Sequence, residues 1–192
     1  MAPMPPPPSP SSVSLPGFSS PGASTEAPLE MLAACHGRIE RQCETLQRLL
    51  PHVQAHGADA AAQQAARAVM RYFDSAAVHH HEDEEQDLFP ALREAMAGSD
   101  AVCIRELTDG LVQDHRRLEG LWRSLRAALD ALAEGRARAL DATVVGDFMA
   151  AYAAHMAREN DELLPMAARL LDDATLARIG QAMRQRRGIP AP

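Results

Sequence analysis

Two segments of the chain carry the same pattern of histidine, glutamate and proline. Residues 80–92 read HHEDEEQDLFPAL and residues 155–167 read HMARENDELLPMA, so the motif H-x-x-x-E followed by L-x-P occurs twice, 75 residues apart. On a helix, positions i and i+4 lie on one face, about 6 Å apart along the axis. Each histidine and its glutamate can therefore reach one metal ion or two adjacent ions.

Two further histidines stand in apolar stripes at helical spacing. His36 lies between Leu32 and Ile39, and His115 lies in a similar stripe. The chain thus reads as two helix pairs, each with a lone histidine followed by an H-x-x-x-E pair. The candidate metal ligands are His36, His80, Glu84, His115, His155 and Glu159. Imidazole with carboxylate suits iron, manganese or zinc, and six such ligands are enough for two ions if both glutamates bridge. They are too many for a four-coordinate zinc.

Each part of this pattern also has a plainer interpretation. A lone histidine on an apolar face is most often a hydrogen-bonded core residue, and a single H-x-x-x-E also occurs on solvated helices. The acidic run after His80 could be a polar face. The combination favours a metal site, because a proline follows each glutamate by six residues, and Phe73 and Phe148 precede the motifs on the same faces.

The hydrophobic pattern predicts a helical protein. Apolar residues make up 46% of the chain and aromatic residues only 4%, which favours packed helices over sheets. Four long runs have helical spacing and begin near Leu29, Asp59, Asp100 and Asp141, and a shorter amphipathic segment spans 173–187. We expect an all-α fold, an up-down-up-down four-helix bundle with a short C-terminal helix.

Glycine, proline and capping residues indicate where these helices begin and end. Pro51 and Gly57 mark the break after the first run, and Gly135 ends the third, which could bend at Thr108 or Gly110. The prolines after the two motifs each remove a backbone N–H, which predicts either a bend beside the site or a helix end. The candidate N-caps are Asp59, Ser99 and Asp100.

The chain divides into one domain and two tails. Its 192 residues allow one compact domain plus a tail. Nine of the 14 prolines fall within residues 1–28, a stretch that can neither build a helix nor bury enough apolar surface to fold. We expect a disordered Pro/Ser-rich tail over 1–28, the bundle over 29–187 and a C-terminal tail over 188–192.

Charge and cysteine content exclude several classes of protein. The net charge of −7 repels nucleic acid and anionic membranes, so neither is an expected partner. Three cysteines without a CxxC pair favour neither a disulfide framework nor a thiolate zinc site. No apolar run approaches the ~20 residues of a membrane span. We expect a cytoplasmic protein, and the sequence does not identify a protein partner.

The four helical segments together resemble the hemerythrin-like, HHE cation-binding family. The resemblance spans about residues 29–187 and rests on His36, HHHEDEEQDLFPAL, DHRRLEGL and HMARENDELLP in successive helices. It implies a four-helix bundle around a non-haem di-iron centre with an oxo or hydroxo bridge between the ions. Carried over position by position, it makes all six candidates ligands, with Glu84 and Glu159 bridging.

The chain departs from the oxygen carriers of that family at two places. The carriers have a second histidine four residues from the first in the third helix, where Leu111 and Glu119 stand at those distances from His115. They also use an aspartate where this chain has Asn160. The resemblance is therefore to the HHE branch, with an open position on each iron. Three residues could fill one of these positions: Glu119, His79 and His81.

Three functional hypotheses follow from these observations. The leading one is an iron protein whose di-iron site binds or senses dioxygen, nitric oxide, peroxide or iron, stores iron, or protects against oxidative stress. The second is an enzyme that consumes peroxide at the open positions and needs a proton donor, for which Tyr72, Tyr152 and Glu119 are candidates. The third is a metal-free interaction bundle whose histidines are core packing.

Overall fold

A computed structural model of the chain describes residues 25–95 and 101–190, and every element within these ranges is helical. The elements are α1 (Pro28–His56), α2 (Ala60–Phe73), α3 (Ala76–Asp83), a first π-helical segment (Glu84–Leu88), α4 (Phe89–Ala95), α5 (Ala101–Ala133), α6 (Ala142–Arg158), a second π-helical segment (Glu159–Leu163), α7 (Leu164–Leu170) and α8 (Asp173–Arg186). The predicted all-α class is confirmed. Residues 1–24 of the predicted tail and the proposed caps Ser99 and Asp100 lie outside the described residues.

Local chemistry explains most of the helix ends. The Asp59 side chain accepts a hydrogen bond from the amide of Ala62 at 2.8 Å, so the predicted N-cap of the second run is confirmed. Gly57 ends α1 with a φ of 68°, a left-handed value that favours glycine. The predicted break at Pro51 is wrong, because α1 continues through this proline to His56.

The second and third runs differ from the prediction in opposite ways. The second is interrupted at Asp74 and Ser75, between α2 and α3, where no glycine or proline marks the break. The third, α5, runs for 33 residues without the break considered at Thr108 or Gly110. The hydroxyl of Thr108 donates to the carbonyl of Ile104 at 2.8 Å within the helix, so this residue satisfies its polar group without disrupting the element.

The apolar core consists of two separate clusters. The first is built from the second half of α1, from α2, from the second half of α5 and from α6. The second lies toward the start of α1 and α5 and includes residues of α4, α7 and α8. On α1, Leu32 belongs to the second cluster and Ile39 to the first, with His36 between them. A polar layer therefore separates the two clusters.

The C-terminal helix α8 packs against α1 and α3. Asp83, at the end of α3, is fully buried and binds Arg187 at 2.5 Å as well as Arg186. Gly180 of α8 faces the backbone of Thr25 so closely that a Cβ would collide with its carbonyl oxygen. The helix is thus held by buried ion pairs and by a close backbone contact. Among the described residues, no helix has the length and hydropathy of a membrane span.

Candidate metal centre

The two π-helical segments place the glutamates of the repeated motif. Each segment begins at the motif glutamate, and the amides of Phe89 and Leu164 donate to the carbonyls of Glu84 and Glu159, five residues back. Pro90 and Pro165 stand two residues after the ends of these segments. Neither proline has a backbone N–H, so neither can donate the hydrogen bond of a regular α-helix. The helices continue beyond both prolines as α4 and α7, so neither proline ends its helix. A π segment is often found at a functional site.

All six sequence-predicted site residues meet in the polar layer. None of these residues is more than 2% exposed. Their nitrogen and oxygen atoms fall into two overlapping sets, each within the reach of one metal ion. The first set is His36, His80, Glu84 and Glu159, and the second is Glu84, His115, His155 and Glu159.

The first position lies between His36 and His80. Nε2 of His36 is 3.0 Å from Oε2 of Glu159, and Nε2 of His80 is 4.0 Å from the same oxygen. Oε1 of Glu84 lies 3.5 Å from Nε2 of His80. Two imidazole nitrogens and one oxygen of each glutamate therefore converge here.

The second position is built in the same way from the other two histidines. Nε2 of His115 lies 3.3 Å from Oε2 of Glu84, and Nε2 of His155 lies 3.1 Å from Oε1 of Glu159. Each glutamate thus directs one oxygen to the first position and the other to the second. This is the arrangement of two carboxylates that bridge a pair of metal ions.

These close contacts are not hydrogen bonds. The four Nε2 atoms of the site histidines and all four carboxylate oxygens of Glu84 and Glu159 are buried without a hydrogen-bond partner among the described residues. Buried polar groups are normally paired, because an unpaired one loses its hydration without compensation. Eight such atoms that converge on two points fit a pair of cations, whose ligand atoms point at the ion and not at one another.

The opposite ring nitrogens of two site histidines, His36 and His115, donate to polar side chains. Nδ1 of His36 donates to Oδ1 of Asn160 at 2.8 Å, and Nδ1 of His115 donates to Oε1 of Glu85 at 2.7 Å. A metal-ligating histidine typically donates its other N–H in this way, which keeps Nε2 free for the ion. Glu85 is not among the site residues predicted from the sequence. The repeat could have indicated it, because Glu85 and Asn160 each directly follow a motif glutamate.

Burial and proximity shift the pKa values of the cluster. Burial raises the pKa of Glu84 well above its usual value, and the charge of Glu159 raises it further. Burial alone would raise the pKa of Glu159 as well, but contacts with His155 and His36 outweigh burial and hold that pKa well below the usual value. Burial lowers the pKa of His80 to about 3. The metal-free chain thus keeps a protonated carboxyl beside an ionised one, and a cation would allow both to ionise.

Of the three residues considered for the open positions, only His81 lies at the site. A ring nitrogen of His81 is within 4.8 Å of ring nitrogens of His115 and His155. Its ring stacks on that of His115, with centroids 4.0 Å apart and planes 13° apart. Glu119 is half exposed and binds Arg116 at 2.7 Å, and His79 belongs to none of the possible ligand groups among the described residues.

Aromatic side chains of the first apolar cluster lie next to the site. The rings of Phe73 and Phe148, which hold matching positions in the repeat, have centroids 5.0 Å apart. The ring of Tyr152 lies 6.1 Å from that of His81, and the hydroxyl of Tyr72 donates to the carbonyl of Cys35 at 3.4 Å. Burial raises the pKa values of both tyrosines, that of Tyr72 to about 12, which makes them weak proton donors.

A small cavity between α5 and α6 reaches the site from outside. It has a volume of about 130 Å³, enough for a few water-sized molecules, and one of its walls is His155. The other lining residues are Asp114, Arg117, Leu118, Ala150, Ala151 and Ala154. Three alanines on one side leave space that longer side chains would fill.

The fold and the site define an all-helical protein with a buried histidine and glutamate cluster that can hold metal cations. A family model described as the hemerythrin HHE cation-binding domain matches residues 27–167. A protein of Haemophilus influenzae (strain ATCC 51907 / DSM 11121 / KW20 / Rd), described as uncharacterized, is 30% identical over 167 residues, which is 87% of this chain and 94% of that protein. The chain belongs to the hemerythrin HHE cation-binding family, and the predicted resemblance is confirmed.

Proposed function

We propose that the chain is a non-haem di-iron protein in which Glu84 and Glu159 bridge two ions. His36 and His80 complete the first position, and His115 and His155 complete the second. One observation carries this proposal: each glutamate directs one oxygen to each histidine pair, at 3.0–3.5 Å from the nearest Nε2 atoms. A merely structural cluster has no reason to divide its oxygens in this way.

The donor set supports iron as the metal. Each position offers two imidazoles and two carboxylate oxygens, a mixed nitrogen and oxygen set that suits iron, with manganese and zinc as alternatives. An oxo or hydroxo bridge between two iron ions would add a fifth ligand to each. A bound iron pair supplies reversible electron exchange with a small oxidant or diatomic ligand at the positions that remain open.

The surroundings of the site support a small ligand as its physiological partner. The ligand residues are buried, and the cavity that reaches His155 has a volume of about 130 Å³. Dioxygen, nitric oxide and peroxide fit such a space, whereas a larger organic substrate does not. The function that follows is binding or sensing of such a ligand or of iron itself, or protection against oxidative stress.

The helix contacts support the up-down-up-down arrangement that we propose for the bundle. The first helix, α1, contacts α2 and α6, and α5 contacts both α2 and α6, which closes a ring of four. Short connections join α1 to α2 and α5 to α6, and such connections favour antiparallel neighbours. A cytoplasmic location stays a prediction from the sequence.

Anaerobic titration of the metal-free chain with iron(II) tests the proposal. Binding followed by calorimetry is expected to saturate at two ions per chain. Glu159→Ala removes an oxygen from each position and is expected to weaken both, whereas His36→Ala is expected to remove one ion only. A matched control is Glu162→Ala, which removes an exposed carboxylate from the same π segment and leaves both ions in place.

Two results would contradict the bridging arrangement. The first is saturation at a single ion in the unmodified chain. The second is a loss of only one ion in Glu159→Ala, which would make this glutamate a ligand of one position alone. Circular dichroism of each variant separates a change in metal binding from a failure to fold.

A further inference from the structure

The two proposed metal positions differ in the side chains near Nδ1 of their histidines. Glu85 and Asn160 stand at equivalent places in the repeat, each directly after a bridging glutamate, and each accepts the Nδ1 proton of a lone histidine. The acceptor for His115 is a carboxylate, whereas the acceptor for His36 is a neutral amide. The two motifs therefore match in their candidate ligands and differ in the charge of the residue that accepts the Nδ1 proton.

The second histidine of each position shows a smaller difference of the same sign. Nδ1 of His155 has no hydrogen-bond partner among the described residues, but it lies 3.8 Å from Oδ2 of Asp114. Nδ1 of His80 is buried and has no hydrogen-bond partner among the described residues. Asp114 directly precedes His115, and the residue in that place before His36 is the uncharged Cys35. At Nδ1, the second position thus has one hydrogen-bonded carboxylate and a second carboxylate nearby, and the first position has neither.

A carboxylate acceptor strengthens a histidine ligand more than an amide does. It accepts a charge-assisted hydrogen bond from the ring N–H, which moves electron density toward Nε2 and raises its basicity. Replacement of such an outer partner typically changes metal affinity by about 10–100-fold. The second position should therefore hold a divalent cation more tightly than the first.

The arginines that pair with these carboxylates do not cancel the effect. Glu85 binds Arg116 at 2.6 Å, and Asp114 binds Arg158 at 2.7 Å. The two arginine side chains are 58% and 37% exposed, so water screens their charge. The hydrogen bond from His115 to Glu85 remains short, at 2.7 Å. Arg116 binds Oε2 of Glu85 and leaves Oε1 free to accept from the imidazole of His115.

From this asymmetry we infer that the two positions have different affinities and that the His115–His155 position fills first. Glu85 acts as a positioning residue that strengthens this position, the nearby charge of Asp114 acts in the same direction, and Asn160 leaves the first position weaker. The inference rests on the proposed function, since it concerns the order in which the same two ions bind.

Single-position variants measure the two affinities separately. His36→Ala leaves the second position with its four ligands, and His155→Ala leaves the first position with its own four. Anaerobic iron(II) calorimetry is expected to give an affinity at least tenfold higher for His36→Ala than for His155→Ala. Two-step binding in the unmodified chain provides the same comparison if either variant fails to fold.

Exchange of the outer partners tests the cause. Glu85→Gln keeps the shape and removes the charge, so it is expected to weaken the tighter step about 10–100-fold and leave the weaker step unchanged. Asn160→Asp adds a carboxylate behind His36 and is expected to strengthen the weaker step. Arg116→Gln is the matched control, because it removes the exposed partner of Glu85 and is expected to change neither step by more than a few fold.

The outcomes separate this inference from the proposed function. Two ions that bind with equal affinity, or a tighter step that Glu85→Gln does not change, would overturn the inference and leave the di-iron site in place. A tighter affinity in His155→Ala than in His36→Ala would overturn it as well. A chain that binds no iron at all would instead contradict the proposed function.

Discussion

Glu84 lies between two histidines from different helices, with Oε1 3.5 Å from Nε2 of His80 and Oε2 3.3 Å from Nε2 of His115. The carboxylate therefore links the two metal positions from one side, and Glu159 links them from the other. A di-metal site requires this sharing of each carboxylate between two histidine pairs, whereas a histidine-rich core does not.

Bound metal should make the stability of the chain rise more steeply with pH. The folded-state pKa of Glu84 lies above its unfolded value because of burial and the nearby charge of Glu159. Contact with Glu159 also raises the pKa of His36 although burial opposes this. These two groups make the free energy of unfolding of the metal-free chain fall as the pH rises, whereas the lowered pKa values of His80, His81 and His115 act in the opposite direction around pH 6.5.

With iron(II) bound, this slope should become more positive, because the cation displaces the proton from Glu84 and binds more tightly at higher pH. Urea unfolding at pH 6.5, 7.5 and 8.5, with a chelator and with anaerobic iron(II), measures both slopes. Glu84→Gln should also make the slope of the metal-free chain more positive, because it removes the group whose pKa burial raises. A slope that iron leaves unchanged would argue against metal binding at this carboxylate.

His81 should contact a small bound ligand and should not itself bind a metal ion. Its ring stacks face to face on His115, and one ion cannot lie in the planes of both stacked rings. In His81→Phe the ring stays and its nitrogens are removed, so the chain should still bind two ions. The affinity of the iron-loaded protein for azide, a small anionic probe, should fall up to about tenfold because one hydrogen bond is lost.

His79→Phe is the control for this variant, since His79 is the neighbouring histidine outside the cluster. It should leave both the iron content and the azide affinity unchanged. A fall from two ions to one in His81→Phe would show instead that His81 turns to bind the second ion.

The cavity beside His155 should be an entry route for small ligands. Ala154 lines it, and a phenylalanine there would fill much of its volume of about 130 Å³. Stopped-flow mixing of iron-loaded Ala154→Phe with azide should show slower association, while the iron content stays at two per chain. Ala153→Phe adds the same bulk at an exposed neighbour that does not line the cavity, and it should associate at the normal rate. Equal rates in the two variants would exclude this route.

The helical class and the convergence of the six candidate residues could be predicted because both follow from periodicity. His36 and His115 interrupt apolar stripes, so the helix geometry alone turns them toward the core. The repeat at an offset of 75 residues then indicates that the two glutamates are equivalent. These arguments need only the spacing of residues along single helices.

Other features depend on how neighbouring helices are rotated, which the sequence does not show. Glu85 was read as part of an acidic run, and its contact with His115 joins residues 30 positions apart. The π segments were missed because a proline indicates a lost hydrogen bond and does not tell which wider turn replaces it. The break at Asp74 and Ser75 has no glycine or proline to mark it.

The iron content of the purified chain tests the central claim most directly. The protein would be produced in iron-supplemented cells, purified without chelator or nickel affinity, and analysed for iron, manganese and zinc by elemental mass spectrometry. The account predicts close to two iron ions per chain, reduced in Glu84→Ala and unchanged in Glu162→Ala. A value near zero for all three metals, together with failure to take up iron(II) anaerobically, would contradict it and leave the histidines as core packing.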